Sequence, residues 1–125
     1  MKTYVGTDII EVERIKKALE NENFKKRVFS QKEIEYCESK NQNVKYQHYA
    51  ARFAAKEAVY KAISSNIDDK YKIEWRNIEV LNDKNGRPTV KLIGLHEKND
   101  IQIDISITHI KEYALATAIL TINNS

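Results

Sequence analysis

Residues 45–63, KYQHYAARFAAKEAVYKAI, contain no Gly or Pro and predict one long helix. Within it, Phe53, Glu57 and Lys61 are spaced by four residues and share a face, while Lys56 lies on the adjoining strip. Alanines occupy much of the remaining surface, so another element can approach the helix backbone closely. Glu57 and Lys61 are either an ordinary i,i+4 ion pair, worth about 0.3–0.5 kcal/mol, or part of an active-site wall. The helix by itself favours the ion pair.

The composition is that of an ordinary globular protein. The chain has 125 residues, 42% hydrophobic and 31% charged, and this size predicts one domain over residues 1–125. We expect neither a membrane helix nor a signal peptide, because no apolar run is long enough and charges come too early. The single cysteine, Cys37, allows no intramolecular disulfide and no zinc-binding thiol pair, which fits a reducing cytoplasm.

The charge is unevenly distributed along the chain. The net charge is only +3, but residues 14–29, RIKKALENENFKKRVF, hold six basic residues against two glutamates, with Phe24 and Phe29 interleaved. Such a patch can bind nucleic acid or an acidic protein, or it can be ordinary solvated surface. A GxxxxGK[ST] loop and an HExxH motif are both absent from the sequence, which argues against Walker-type nucleotide binding and that class of zinc enzyme.

The first half of the chain predicts mainly helices. Residues 3–6 are a short strand candidate, and apolar residues then recur at helical spacing over 9–19. Ser30 and Glu33 match a capping box, which predicts a helix that ends at about Glu38.

The second half predicts strands joined by turns. Isoleucines alternate strictly with polar residues from Ile101 to Ile107, as expected for a strand with one buried face. The predicted segments are a strand at 73–83 with a turn at 83–86, a returning strand at 88–94, one or two helical turns at 95–100, and strands at 101–110 and 113–122. Helices followed by an antiparallel sheet predict an α+β fold.

Three further positions have both a structural and a functional interpretation. Asp8 and Glu11 have capping-box spacing, but a carboxylate at a strand end can also ligate a hard cation. The NGRP segment at 85–88 is a hairpin turn first, and a phosphate there would be bound by its amides and Arg87. His109 ends a strand, where it either faces a ligand or is structural. Each position, taken alone, favours the structural interpretation.

Taken together and in order, five segments resemble the holo-[acyl-carrier-protein] synthases, the short bacterial class of 4'-phosphopantetheinyl transferases. The segments are VGTDIIEVERI at 5–15, FSQKE at 29–33, RFAAKEAVYKA at 52–62, WRNIEVLNDKNGRP at 75–88 and SITHIKEYALA at 106–116. The resemblance implies an α+β fold in which N-terminal helices and one long helix pack on a small antiparallel sheet. It also implies a homotrimer with active sites shared between subunits.

The resemblance implies a reaction and its central residues. Enzymes of this family move the 4'-phosphopantetheine arm of coenzyme A to a serine of apo acyl carrier protein, which releases adenosine 3',5'-bisphosphate and supplies fatty acid biosynthesis. Asp8 and Glu57 match the Mg²⁺ ligands, and two carboxylates with a pyrophosphate suit that ion. Lys61 would offset charge on the leaving phosphate. The general base would be Glu57 or a metal-bound water that it orients.

The resemblance also indicates which residues contact the two substrates. The coenzyme A contacts would be Arg52, Lys61, Ser64, Asn85, Gly86, Arg87, Pro88 and His109. The docking residues for the acidic carrier protein would be Arg14, Phe24 and Arg27.

The chain departs from the family pattern at two places, and two other functions remain open. Ser64, Ser65 and Asn66 replace a Gly-rich loop that contacts phosphate in the family, and Asn77 replaces an aspartate. The alternatives are a small basic nucleic-acid-binding module, suggested by residues 14–29, and an inactive carrier-binding subunit. The slight net charge weakens the first, and the presence of Asp8 and Glu57 weakens the second.

Overall fold

The computed structural model of the protein describes residues 1–64, 73–94 and 100–123. The elements are β1 (Lys2–Glu11), α1 (Val12–Ala18), α2 (Glu22–Val28), α3 (Gln31–Glu38), α4 (Lys45–Ile63), a 3-10 turn (Trp75–Asn77), β2 (Ile78–Asn82), β3 (Pro88–Leu92), β4 (Asp100–His109) and β5 (Tyr113–Asn123). The helical turns predicted at 95–100 fall outside the described residues, except that Asp100 begins β4.

Two antiparallel sheets form the β part of the structure. One has three strands in the order β1-β5-β4, and the other is the β2–β3 hairpin. Helix α4 packs its buried alanines against the inner face of the three-stranded sheet, where β5 also presents alanines. This confirms the predicted α+β class and the long helix on a small antiparallel sheet. Among the described helices, none combines the length and apolar character needed to cross a bilayer.

The long helix, the α3 capping box and the last two strands were correctly predicted. The long helix spans Lys45–Ile63, the stretch for which a helix was predicted. The Ser30 hydroxyl accepts a hydrogen bond from the Glu33 amide at 3.2 Å, and the Glu33 carboxylate accepts one from the Ser30 amide at 2.8 Å. In β4, Ile105 is buried and its neighbouring isoleucines pack against the same core, as the alternation predicted.

The prediction for residues 3–19 was wrong about where the strand ends. Strand β1 continues to Glu11, and it pairs with β5 over its whole length. Asp8 therefore lies within a strand, opposite Ala116, and it is not a helix cap. Ile9 and Ile10 fit both a helical and an alternating pattern, and pairing with β5 decides in favour of the strand. Residues 75–77, also predicted as strand, form the 3-10 turn, so β2 begins only at Ile78.

A fully buried ion pair connects the helices to the hairpin. The Glu33 carboxylate lies 2.7 Å from the Lys56 ammonium, and both side chains are 0% exposed. Glu33 also accepts the Val80 amide at 2.8 Å, while Lys56 donates to the carbonyls of Trp75 at 2.9 Å and Ile78 at 2.6 Å. Burial raises the pKa of Glu33 and lowers that of Lys56. Their mutual attraction and these hydrogen bonds oppose both shifts and so stabilise the charged forms. Lys56 is thus an inward-pointing structural residue.

We expect Lys56→Met to lower the free energy of unfolding by about 3–5 kcal/mol, because it leaves the Glu33 carboxylate buried without its counter-charge. Urea denaturation followed by circular dichroism measures the loss. The matched control is Lys32→Met on exposed α3 surface, which should change stability by less than about 0.5 kcal/mol. The double variant Glu33→Gln with Lys56→Met should lose less free energy of unfolding than the two single variants together. A loss equal to their sum would show that the two side chains are not coupled.

Candidate active site

One glycine brings β1 against the long helix. A Cβ added at Gly6 would overlap the Ala58 carbonyl oxygen and would lie 2.9 Å from the Ala62 amide nitrogen. Only glycine on the strand, facing alanines on the helix, allows this approach of the two backbones. Asp8 points to the same side of β1 two residues later, because side chains alternate along a strand.

The crossing places Asp8 beside Glu57 and Lys61. The Lys61 ammonium donates to the Thr7 carbonyl at 3.0 Å and lies 3.3 Å from an Asp8 carboxylate oxygen. Lys61 is 52% exposed and Asp8 17%, so the cluster is open to solvent on the lysine side. Burial and then repulsion from Asp8 raise the pKa of Glu57, against the opposing effect of Lys61. The carboxylates of Asp8 and Glu57 therefore have the Lys61 ammonium as their shared positive neighbour.

The donor set of this cluster fits a hard divalent cation. Within the described ranges, no group of three or more His, Cys, Asp or Glu side chains is arranged to hold a metal. Mg²⁺ does not require such a group, since it commonly binds one or two carboxylates and completes its shell with waters and substrate phosphates. Asp8 and Glu57 supply oxygen ligands of that kind, and their mutual repulsion would be relieved by a cation.

A second cluster lies on the opposite face of the same helix. Arg52 and Lys61 are nine residues apart, a rotation of about 900°, or half a turn beyond two full turns, at about 100° per residue. Arg52 is buried, 3% exposed, with its guanidinium carbon 4.0 Å from the centre of the Tyr36 ring. His48, one helical turn before Arg52, packs its ring 5.3 Å from that of His109. Arg52 and His109 are thus near neighbours, and Lys61 is remote from both.

Of the other predicted coenzyme A contacts, four lie in the β2–β3 turn and Ser64 lies at the end of α4, next to Lys61. Asn85, Gly86, Arg87 and Pro88 form the β2–β3 turn, with Gly86 at a φ of +83°. The Asp83 carboxylate accepts the amides of Asn85 and Arg87 at 2.8 and 3.0 Å, so these bonds stay within the hairpin. Ser64 follows α4 and donates its hydroxyl to the Lys61 carbonyl at 3.3 Å. Ser65 and Asn66 lie outside the described residues.

The predicted carrier-docking residues lie on the first two helices. Arg14 is exposed on α1 and Arg27 on α2, whereas Phe24 is half-buried with its ring centre 6.3 Å from that of Phe53. Arg27 also lines a groove of about 540 Å³ between α2 and the 3-10 turn. The other lining residues are Asn23, Lys26, Glu74, Trp75 and Arg76. The basic segment is therefore a largely exposed surface with an aromatic base.

Sequence reasoning missed the surroundings of Arg52. Tyr36, Gln47 and His48 belong to no recognised motif, and they meet Arg52 and His109 only because α3 and β4 pack beside the start of α4. The His109 ring nitrogen Nδ1 lies 2.9 Å from the Gln47 side-chain oxygen. Helical periodicity indicates which residues share a face, but it does not indicate which element covers that face.

The sequence of this chain matches a known protein family. Residues 4–118 match the sequence model of the 4'-phosphopantetheinyl transferase superfamily. The chain belongs to this superfamily. A holo-[acyl-carrier-protein] synthase of Ruminiclostridium cellulolyticum is 44% identical, over 100% of this chain and 96% of the relative. This membership favours the transferase over the nucleic-acid-binding alternative, whose only support was the basic segment.

Solved structures of transferases in this superfamily have the same fold. The acyl-carrier-protein synthase–coenzyme A complex of Chronobacterium ammoniagenes superposes with a TM-score of 0.83 at 28% identity, covering 99% of this chain and 100% of that one. A Bacillus anthracis holo-(acyl-carrier-protein) synthase in complex with coenzyme A (3',5'-ADP) gives a TM-score of 0.75 at 32% identity, with 94% of each chain covered.

We expect Gly6→Ala to destabilise the fold by about 3 kcal/mol, the upper end for overpacking, because the added methyl group meets helix backbone and not a movable side chain. Thermal and urea unfolding measure the loss. Thr3→Ala, on the same strand but exposed, is the matched control and should change stability by less than about 0.5 kcal/mol. Equal stability of the two variants would show that β1 does not depend on the close approach at Gly6.

Proposed function

We propose that this protein is a holo-[acyl-carrier-protein] synthase. It transfers the 4'-phosphopantetheine arm of coenzyme A to a serine of apo acyl carrier protein, with adenosine 3',5'-bisphosphate as the other product, and so supplies fatty acid biosynthesis. The observation that carries the proposal is the cluster of Asp8, Glu57 and Lys61 in a chain that matches a named synthase over its whole length.

The cluster has the groups that a phosphoryl transfer to an alcohol requires. The serine oxygen bonds to the phosphorus that carries the arm, and the bond from that phosphorus to the bridging pyrophosphate oxygen breaks. Glu57 would accept the serine proton. Lys61, held by the Thr7 carbonyl and Asp8, would offset the negative charge that gathers on the departing phosphate.

Asp8 and Glu57 are the proposed ligands of the Mg²⁺ ion. When bound, Mg²⁺ would neutralise charge on the pyrophosphate of coenzyme A. The support from this chain is the pair of neighbouring carboxylates, since burial and then repulsion from Asp8 raise the pKa of Glu57. Binding of the substrate pyrophosphate at the same place would complete an oxygen-only set of ligands.

The remaining coenzyme A contacts are proposed on two grounds. Arg52 supplies a buried guanidinium with two nitrogens that have no hydrogen-bond partner, as expected for a group that awaits an anion. Lys61 and Ser64 lie at the end of α4 near the acidic cluster, and His109 lies near Arg52. The turn of Asn85, Gly86, Arg87 and Pro88 is assigned to the adenine nucleotide by its match to the family pattern.

The exposed basic surface is the proposed docking site for the acidic carrier protein. Arg14 and Arg27 provide charge, and Phe24 provides an apolar centre packed on Phe29 and Phe53. Charges of this kind at the rim of an interface mainly raise the association rate, and added salt weakens the effect.

We further propose that the active form is a homotrimer with its sites between subunits. The outer face of the three-stranded sheet carries a stripe of exposed apolar side chains in which Val5 pairs with Ile119 and Ile9 with Leu115. Val5 is 63% exposed and Ile9 59%, so this face has much apolar surface to cover. Subunit contact also explains why the acidic cluster and Arg52 lie on opposite faces of α4, since two subunits would then contribute to one site.

We place the protein in the cytoplasm as one transferase domain over residues 1–125. Its one cysteine, Cys37, is buried, and burial raises the pKa of the thiol to about 12. Such a thiol stays protonated and unreactive, and it suits a reducing compartment.

A transfer assay tests the function directly. The protein, apo acyl carrier protein, coenzyme A and Mg²⁺ should together give a carrier protein heavier by one phosphopantetheine arm, as measured by intact mass spectrometry. Glu57→Gln should fold normally and lose at least about 100-fold in rate, because both a ligand and a base are removed. Glu35→Gln, an exposed glutamate of α3, is the matched control and should keep full activity. Absence of the added mass with the wild-type protein would refute the synthase.

Ile9→Glu should disrupt the trimer, because it places a charge in the apolar stripe of the sheet. Light scattering after size-exclusion chromatography should change from three times the 14.6 kDa chain mass to a single chain mass. Ile93→Glu, an exposed isoleucine that follows β3, should leave the assembly unchanged. A wild-type protein that elutes as a monomer while fully active would contradict the shared site.

A further inference from the structure

Glu38, the last residue of α3, binds donors from two other helices. Its carboxylate accepts a hydrogen bond from the Tyr49 hydroxyl at 2.6 Å and forms ion pairs with the ammonium groups of Lys45 at 3.1 Å and Lys25 at 3.3 Å. Tyr49 and Lys45 belong to α4, and Lys25 belongs to α2. One carboxylate therefore connects α2, α3 and α4, and the proposed transfer chemistry does not use it.

This network differs from an ordinary exposed ion pair. Both lysines are mostly covered, since the side chain of Lys25 is 20% exposed and that of Lys45 is 16% exposed. The hydrogen bond from Tyr49, and then the contacts of Lys45 and Lys25, lower the pKa of Glu38 to about 2 against the opposing effect of burial. Glu38 is therefore ionised at neutral pH. A network of several charges orders its members more than an isolated surface pair does.

Helix α2 is short and depends on its neighbours for its position. It has seven residues, too few for a helix that is stable on its own in water. Its apolar side chains pack inward, with Phe24 against Phe53 and Val28 in the core around Tyr49. Apolar contacts are not directional, whereas a charge-assisted hydrogen bond such as that of Lys25 with the Glu38 carboxylate is. The pair therefore fixes the rotation of α2 about its own axis.

The proposed docking residues of α2 lie on both sides of Lys25 in the sequence. Phe24 precedes Lys25, and Arg27 follows it by two residues. Because these three residues belong to one helix, a change in the direction of the Lys25 side chain also changes the directions of the other two. The contact between Lys25 and Glu38 thus determines how α2 presents Phe24 and Arg27.

We propose that Glu38 is a positioning residue that fixes α2 for docking of the acyl carrier protein, and so sets KM for the carrier protein without affecting KM for coenzyme A. The inference rests on the proposed function and deepens it, because it assigns recognition of the protein substrate to a residue that would not itself attract an acidic partner. The contribution of Glu38 is therefore to the geometry of α2, and its charge opposes the attraction.

The negative charge of Glu38 gives the two possible effects of its removal opposite signs. Glu38→Gln makes the surface more basic, so attraction of the acidic carrier protein alone would lower KM. Loss of the contact with Lys25 should instead raise KM for the carrier protein about fivefold, with unchanged KM for coenzyme A and unchanged kcat. Steady-state kinetics with each substrate varied in turn measure these constants. A KM for the carrier protein at or below the wild-type value would overturn the inference.

Matched variants separate position from charge. Glu35→Gln removes the same charge from exposed α3 surface and should not raise KM for the carrier protein. Lys25→Met should raise that KM about as much as Glu38→Gln does, whereas Lys26→Met, which removes the neighbouring exposed charge, should raise it less than twofold. Lys25→Arg keeps a cation that can bond to the carboxylate and should preserve the wild-type KM. Equal effects of Lys25→Met and Lys26→Met would show that α2 acts through its charge alone.

NMR spectroscopy tests the position of α2 without catalysis. Residual dipolar couplings of the backbone amides report the direction of α2 relative to α4. In Glu38→Gln, the couplings of Phe24 and Arg27 should no longer fit the wild-type orientation, whereas those of α4 and the three-stranded sheet should fit it and so show that the fold is intact. Unchanged couplings in α2 would overturn the inference. A wild-type protein that transfers no arm would refute the synthase, while the NMR comparison would still decide whether Glu38 fixes α2.

Discussion

The buried ion pair of Glu33 and Lys56 is the constraint on which the rest of the structure depends. It joins α3, α4 and the start of β2 out of contact with solvent, and the polar atoms of the pair bond to neighbouring backbone groups or to each other. Lys56 precedes Glu57 in α4. Because the ion pair holds Lys56 on the buried side of the helix, it also determines the direction in which the Glu57 side chain points. The same pair orients α3, and with it the ring of Tyr36 beside Arg52.

The acidic cluster depends on a second constraint, the absence of side chains where β1 crosses α4. Gly6 and Ala58 meet backbone to backbone, and this contact sets the distance between the strand that carries Asp8 and the helix that carries Glu57 and Lys61. The many alanines of α4 are therefore a requirement of the crossing. Glu57 and Lys61 lie beside this crossing, where β1 leaves their side chains partly exposed.

Sequence reasoning succeeded where one local pattern had one structural solution. Helix α4 followed from an alanine-rich stretch without Gly or Pro, and α3 followed from the capping box of Ser30 and Glu33. It failed at Asp8, because adjacent isoleucines fit two periods and only pairing with β5 selects one. Helical spacing alone does not determine which lysine of α4 points inward, since burial depends on the element that packs against the helix. The site residues remain predictions, and their two clusters are separated in a way that spacing along the chain does not reveal.

The opposite placement of Arg52 and Lys61 on α4 has a consequence for how the enzyme responds to its own abundance. In a homotrimer whose sites combine the two faces from neighbouring subunits, an isolated subunit holds only half of each site. If the proposed trimer forms, catalysis would be linked by mass action to assembly, and dilution below the dissociation constant of the trimer would switch activity off without any inhibitor. Newly made chains would remain idle until they met partners, so activity would rise more steeply than protein concentration.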